Sequence, residues 1–206
     1  MISVIIPTYN RTEFLCQRAL PSVLNQTYQD FEIIVVGDGT EPGTGERIEE
    51  LNDSRIRFYN LPRFQYPEDH HLRWGLSGLA ARNYGLDHAK GEYIAALDDD
   101  DEMLPDALET LLPQLVDGSA DFVYGISETY KEGRSIGQFY GRYPPGDGAL
   151  CNGAYVYLAS LPYRFDLDCF SRGLAGDADM WTRMWTGGVR FSFLPRIVHR
   201  YHRNFP

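Results

Sequence analysis

Four carboxylates in a row, Asp98 to Asp101, with Glu102 behind them, follow directly on the apolar run Tyr93 to Leu97. Carboxylates packed this closely repel one another, and proteins relieve the repulsion by raising pKa values or by holding a divalent cation. Hard oxygen donors select Mg2+ or Mn2+, above all where a diphosphate completes the coordination shell. The competing reading is that these acids only face the positive end of a helix expected to begin near Pro105. A second acid, Asp38, lies in Val35-Val-Gly-Asp-Gly-Thr at the end of another apolar run. Gly37, Gly39 and Gly43 are spaced G-x-G-x-x-x-G with Pro42 inside, which breaks the turn of a dinucleotide fingerprint, and there is no Walker sequence. Without a glycine cradle, a bound phosphate would be neutralised through a cation on Asp98 to Asp101. Asp38 either accepts the imide proton of a uracil ring or closes its turn by bonding backbone.

The elements that must position these acids read as an alternation. Ile2 to Ile6 is a β-rich apolar run ended by Pro7, as expected of a strand buried on both faces. Thr12 is a candidate N-cap for a helix carrying Leu15, Ala19, Leu20, Val23 and Leu24, with Pro21 expected to kink it. Strands are expected at Phe31 to Val36, Arg55 to Tyr59, Tyr93 to Leu97, Asp121 to Gly125 and Val189 to Leu194. Helices are expected at Glu46 to Leu51, Leu76 to Ala89, Pro105 to about Val116 and Asp177 to Trp185. This order predicts an α/β fold: a mostly parallel, doubly wound sheet flanked by helices in three α/β/α layers. In such a sheet the carboxyl ends of the strands form the ligand crevice, so Asp38 and Asp98 to Asp101 should converge there. Asn60 to Arg73 reads as a long loop, of the kind that is more often functional than idle. From Ile126 to Arg172 Gly, Pro and Tyr are frequent and periodicity fades, so few elements are placed there.

Composition narrows the function classes. The 206 residues carry 19 Lys plus Arg against 29 Asp plus Glu, a net charge of −10, which excludes a general binder of nucleic acid or of anionic membranes. No apolar run approaches the ~20 residues of a membrane span and no leader is visible, so a cytoplasmic location and a single domain over 1–206 are expected. Cys16, Cys151 and Cys169 lack any metal-ligand spacing and are expected as small core residues.

Ile5-Ile-Pro-Thr-Tyr-Asn-Arg, Asn25-Gln-Thr-Tyr, Asp38-Gly-Thr, Ala81-Arg-Asn-Tyr-Gly, Gly91-Glu-Tyr-Ile and Leu97-Asp-Asp-Asp-Asp, in this order and spacing, resemble the GT-A fold glycosyltransferases of family 2. The resemblance covers residues 2 to 116 closely and resumes near the C-terminus. It implies an inverting transferase that takes a nucleotide-diphosphate sugar and usually Mn2+ or Mg2+, with 1–116 as the nucleotide-sugar half and 117–206 as the acceptor half. A UDP-sugar, UDP-glucose or UDP-galactose first, is the expected donor, and a saccharide or other hydroxyl the expected acceptor.

Carried over position by position, the resemblance makes Pro7, Thr8 and Tyr9 the wall of the nucleoside pocket, with Arg11 nearby. Asp38 matches the acid that reads uracil, although Gly37 stands where an Asp is usual. Asp98 and Asp100 match the Asp-x-Asp motif, the first near the ribose and the second on the metal, with Asp99 at the variable position. Arg82 and Asn83 would orient these carboxylates or approach the sugar; otherwise they are an ordinary helix-surface pair. Arg73 is the expected contact from the 66–74 stretch to diphosphate or uracil. Gly176-Asp-Ala-Asp resembles the family's Glu-Asp-x-Asp segment, making Asp177 the catalytic base, with Asp179 as fallback and a helix cap as the bland reading. His202, in His199-Arg-Tyr-His-Arg-Asn, is the expected third metal ligand, unless this basic end is plain solvated charge. Trp181 and Trp185 read as a core stripe before a sugar platform. The rival functions are a nucleotide-sugar-forming nucleotidyltransferase, which should show a Gly-rich basic loop after the first strand, and a catalytically silent nucleotide- or sugar-binding module.

Overall fold

Two strands, β1 (Ile2–Thr8) and β2 (Phe31–Asp38), are buried at every position, as continuous apolar sequence demands of strands covered on both faces. The computed structural model describes residues 1–145 and 148–203; Asn204, which ends the late basic segment, and the 146–147 part of the expected acceptor region lie outside the described residues. With β3 (Ile56–Leu61) and β4 (Tyr93–Ala96), these strands form the parallel array β3-β2-β1-β4. The sheet continues through β8 (Tyr155–Leu158), β6 (Phe122–Lys131) and β9 (Phe191–His202) to β5 (Glu102–Met103), with β7 (Arg134–Tyr140) on β6. Beyond β4 the sheet is mixed: β8 runs antiparallel to β4 and β6, while β9 is parallel to β6.

Alternation along the strands divides the core into two layers. Val4, Ile6, Ile33 and Val35 face a π-helical turn at Leu15–Ala19, which follows the short α1 (Thr12–Phe14), together with α2 (Leu20–Leu24), α6 (Ala107–Leu111) and α7 (Pro113–Val116). Ile5, Ile94, Phe122 and Tyr124 face α4 (His70–Leu76), α5 (Leu79–His88) and α8 (Gly176–Thr186). The short α3 (Thr44–Glu49) follows β2. Among the described residues no helix is long and apolar enough to cross a membrane.

Several boundaries differ from expectation for local reasons. Thr12 begins α1 instead of capping it, and its hydroxyl pairs with that of Thr44 at 2.8 Å. The π-helical turn resets the helix so that Pro21 falls in the first turn of α2, where no N–H is required, and the expected kink becomes a change of helical winding. Pro113 likewise divides the 105–116 helix in two. The 60–73 loop ends at α4, capped by the Asp69 carboxylate on the Leu72 amide at 2.9 Å, and Gly78 at φ 76° separates α4 from α5.

β9 runs well past Leu194 and carries the basic segment between β6 and β5, where His199 and His202 are buried while Arg196 and Arg200 keep their charges at the surface. Pro195 is tolerated there because the β6 register shifts opposite it, around Gly125. The 126–172 stretch holds the β6–β7 hairpin, β8 and a 3-10 turn at Cys169–Arg172. Cys16 and Cys169 are buried as expected, Cys151 is half-buried, and all three are free thiols.

Helix α5 lies so close to β1 that a Cβ on Gly85 would stand 2.5 Å from Ile5 Cγ2. Gly85→Ala is therefore expected to lower stability by about 1–3 kcal/mol through overpacking, read as a shift in the urea midpoint with an unchanged slope.

Candidate active site

The parallel strands end on one edge, with Thr8 paired to Gly37 in register and Leu97 N donating to Ile5 O at 3.1 Å, and this brings the loops after β1, β2 and β4 together. Each acid of the run has its own compensation. Asp98 is ion-paired with Arg82, whose side chain is 5% exposed. Asp99 accepts from Thr8 Oγ1 at 2.8 Å and from Arg11 at 3.3 Å; burial holds its carboxyl up at about 7 against the pull of Arg11. Asp100 accepts from Arg11 at 2.8 Å through its side chain and from Arg18 at 2.7 Å through its carbonyl. Burial, together with Asp98 and Asp100, pushes Asp101 well above the ordinary range, and its carboxylate takes the His202 amide at 2.7 Å. His199 Nε2 lies 3.4 Å from Asp101, and burial presses its imidazolium down to about 4, so the pair is driven toward its neutral forms.

Asp38 stands in a second cluster at the end of β2. Its carboxylate accepts from Arg63 at 2.7 Å, from the Tyr66 hydroxyl at 2.6 Å and from the Phe64 amide at 2.7 Å. The Arg63 guanidinium lies 3.4 Å from the centre of the half-exposed Tyr9 ring and 4.7 Å from that of Tyr66. Gly39, at φ 67°, lets this loop approach: a Cβ there would sit 2.8 Å from Arg63 Cβ. Gly37 also has a steric reason, since its Cβ would meet, at 2.7 Å, the Asn60 Oδ1 that accepts from the Thr40 amide.

The C-terminal half contributes α8. Asp177, in its first turn, lies within electrostatic range of Arg82 and Asp98; burial raises its carboxyl above the ordinary value, with the Ala178 amide and Arg82 opposing. Gly176 packs its backbone against the Leu79 side chain, which would have to shift to admit a Cβ there. Asp179 is corrected from fallback base to structural anchor: it is 1% exposed and both its oxygens are taken, by Arg172 at 2.5 Å and Arg183 at 2.8 Å.

The structure thus gathers Thr8, Arg11, Arg82, Asp98, Asp99, Asp100 and Asp177 at one edge, with Tyr9 and Asp38 beside them and Pro7 against Gly78. Three expectations change. Asn83 clasps backbone instead of carboxylates, exchanging hydrogen bonds with Phe165 at 2.8 and 2.9 Å. Arg73 is exposed and bonded to the carbonyls of Pro67 and Glu68, and the arginine on Asp38 is Arg63. His202 turns to Glu102 at 3.4 Å and to the Tyr130 ring, leaving His199 as the histidine on the acid run. Sequence reasoning missed Arg63 and Arg18 and placed Tyr66 only at the start of the 66–74 stretch; the alternation Arg63-Phe-Gln-Tyr, a cation among aromatics in a long loop, was the available signal for Arg63. Trp181 is core, against Tyr155, while Trp185 is partly exposed beside Tyr143.

As a cation site the run offers hard oxygens. Among the described residues no three His, Cys, Asp or Glu side chains converge to cage an ion unaided. Arg82 Nη1 is buried without a hydrogen-bond acceptor beside Asp98, as an incoming anion would require.

Residues 3–165 match the family model described as Glycosyl transferase family 2. A GalNAc(5)-diNAcBac-PP-undecaprenol beta-1,3-glucosyltransferase of Campylobacter jejuni is 36% identical over 143 residues, 68% of this chain and 42% of that protein. The UDP-Glc:alpha-D-GlcNAc-diphosphoundecaprenol beta-1,3-glucosyltransferase WfgD of Escherichia coli is 32% identical over 139 residues, 68% of this chain and 50% of that protein. The chain spans half or less of these relatives. Among solved structures, S. aureus TarS 1-349 in complex with UDP-GlcNAc superposes with a TM-score of 0.76 at 18% identity, covering 100% of this chain and 59% of that one. Mannosyltransferase PcManGT from Pyrobaculum calidifontis, in complex with GDP-Man and Mn2+, gives 0.68 at 18%, covering 97% and 56%. The fold shared with these glycosyltransferases is GT-A.

Asp179→Ala should cost about 1–3 kcal/mol, because the buried carboxylate tying α8 to the 166–172 segment is lost; Asp166→Ala, at the exposed end of the same network, should cost under about 1 kcal/mol. Urea unfolding of the two variants checks the difference.

Proposed function

The chain belongs to glycosyl transferase family 2, and on that footing we propose that it moves a sugar with inversion from a nucleotide-diphosphate donor, UDP-linked, to an acceptor hydroxyl with the help of a divalent cation. The observation that carries this reading is that an acid of the strand-end run, Asp98, is ion-paired with the buried Arg82, and an acid from the other half of the chain, Asp177, lies within electrostatic range of both. A displacement at an anomeric carbon needs negative charge stabilised on one side and a proton removed on the other.

The donor side falls to residues 1–116. Tyr9 and Pro7 wall the nucleoside, and Asp38, fixed by Arg63 and Tyr66, takes the imide proton of uracil through the oxygen that meets only the Phe64 amide. Asp98 lies toward the ribose. Asp100, with Asp98, would hold Mn2+ or Mg2+, which supplies positive charge to the leaving diphosphate. Arg82 adds a fixed charge with a donor to spare. The complexes of TarS with UDP-GlcNAc and of PcManGT with GDP-Man and Mn2+ support a nucleotide sugar and a cation as the pair to test.

The acceptor side falls to 117–206. Asp177 removes the proton of the attacking hydroxyl, and its raised carboxyl pKa makes it a stronger base than a solvated aspartate once ionised. Saccharides on a lipid diphosphate, named for the Campylobacter and Escherichia relatives, are the acceptor class to test first.

Asp177→Asn is expected to lower kcat by about 10²–10⁴ while leaving UDP and Mn2+ binding unchanged, measured by release of nucleotide diphosphate from a panel of nucleotide sugars and by calorimetry. Undiminished transfer by that variant would exclude Asp177 as the base. Asp38→Ala should weaken UDP binding about tenfold, the loss of a buried acceptor worth about 1.4 kcal/mol.

A further inference from the structure

We propose that Trp74 is the platform on which a sugar of the acceptor stacks, holding that ring in the crevice before Asp177. This rests on the reading above that Asp177 activates a saccharide hydroxyl. Of the chain's three tryptophans, Trp181 is 2% exposed and belongs to the core. Trp185 sits edge-on to Tyr143 and Phe191, about 12 Å along α8 from Asp177 at ~1.5 Å per residue. Trp74, on α4, is 64% exposed, and it is not an isolated surface ring. His71 lies 6.4 Å from it centre to centre with 19° between the planes, and His71 in turn lies 5.7 Å from the Phe170 ring. The indole is therefore braced by a stacked neighbour and otherwise open to solvent.

α4 lies on the rim where the two halves of the crevice meet. At its C-terminal end the Gly78 amide donates to the Tyr66 hydroxyl at 3.3 Å, and a Cβ on Gly78 would stand 3.3 Å from Pro7 Cγ, so this end rests on residues given above to the nucleoside. Leu79, the next residue, meets Gly176, the neighbour of Asp177. One residue from Trp74, Gly75 packs on the Phe170 ring, in the 3-10 turn that precedes α8. Trp74 thus stands toward the acceptor half, while the exposed ring on the nucleoside side is Tyr9. A pyranose presents C–H groups on its face and hydroxyls around its edge. It can cover an indole with the face while its hydroxyls keep their hydrogen bonds, and the ring quadrupole favours the C–H contact. Exposed apolar surface beside a crevice is the mark of such a ligand site. The stack sets the plane of the sugar and leaves its identity to other contacts, so it tightens acceptors of several kinds and orients the attacking hydroxyl.

The test is steady-state kinetics on the full chain with Mn2+, following release of nucleotide diphosphate from the panel of nucleotide sugars. The acceptors are the p-nitrophenyl glycosides of GlcNAc, GalNAc and glucose, and α-GlcNAc diphosphate on a decyl chain. Wild type, Trp74→Ala, Trp74→Phe and Trp185→Ala are compared, with urea midpoints to establish that each is folded. Trp74→Ala is expected to raise acceptor KM about tenfold on soluble and decyl acceptors alike, while acceptor-free nucleotide release and the Kd for UDP stay within about twofold of wild type. Trp74→Phe, which keeps an aromatic face, should raise it about threefold at most, and Trp185→Ala, outside the crevice, should leave it unchanged. Unchanged acceptor KM in Trp74→Ala would overturn the platform alone. So would a loss confined to the decyl acceptor, which gives the indole to the lipid, or an equal loss of UDP binding, which gives it to the donor. Donor turnover in wild type that no acceptor accelerates would likewise overturn it while the donor reading stands. Absence of nucleotide release from every donor would overturn the function proposed above and this inference with it.

Discussion

Mutual repulsion among the carboxylates that close β4 is the constraint to which the rest of the site answers. Asp99, Asp100 and Asp101 are all buried, and Asp98 adjoins them. Leaving such charges unpaired in a low-dielectric interior is prohibitive, so each must be neutralised, protonated or matched. The surrounding architecture supplies all three remedies: Arg82 from α5, Arg11 from the loop after β1, Arg18 from the π-helical turn, and a neutral His199 from β9. Elements far apart in sequence are drawn to one point by that shared requirement.

The topology makes this convergence possible. β1 lies at the centre of the parallel array, and its carboxyl end delivers Thr8 and Arg11 beside the acids, while β2, its neighbour, delivers Asp38. The second half of the chain closes the crevice from the opposite side through α8, whose start is pressed onto α5 at Gly176 and Leu79 and held by the Asp179 ion network. The two departures from the family motif, Gly37 and Gly176, both fall where a Cβ would meet a neighbouring side chain, Asn60 and Thr40 in the first case and Leu79 in the second.

What was legible in the sequence follows from the range of the interactions involved. The buried strands and the acids at their ends are local patterns, so β1 to β4, Asp38 and Asp98 to Asp100 could be read directly. Arg63 could not be separated from Arg73 by pattern, because the choice depends on how the 60–73 loop folds back onto Asp38 and Tyr9. Asn83 sits one residue from Arg82 on a helix, and that single step turns it from the acid run to the Phe165 backbone. His202 and His199 are three apart on a strand and present opposite faces, so the register of β9 against β5 and β6 determines which meets Asp101.

β5 joins the sheet only by pairing with β9, and Glu102 meets Arg200, a partner 98 residues downstream. As the chain emerges from a ribosome, the short strand behind the acid run can rest on α2, where the Met103 amide donates to Ser22 Oγ, but it has no strand partner until nearly the whole of 1–203 has been made. Contacts of such long sequence separation form late and slowly. A nascent chain stalled before residue 191 would carry the parallel array with Asp98, Asp99 and Asp100 already held by Arg82, Thr8 and Arg11, while Asp101 and Glu102 still lacked His199, His202 and Arg200.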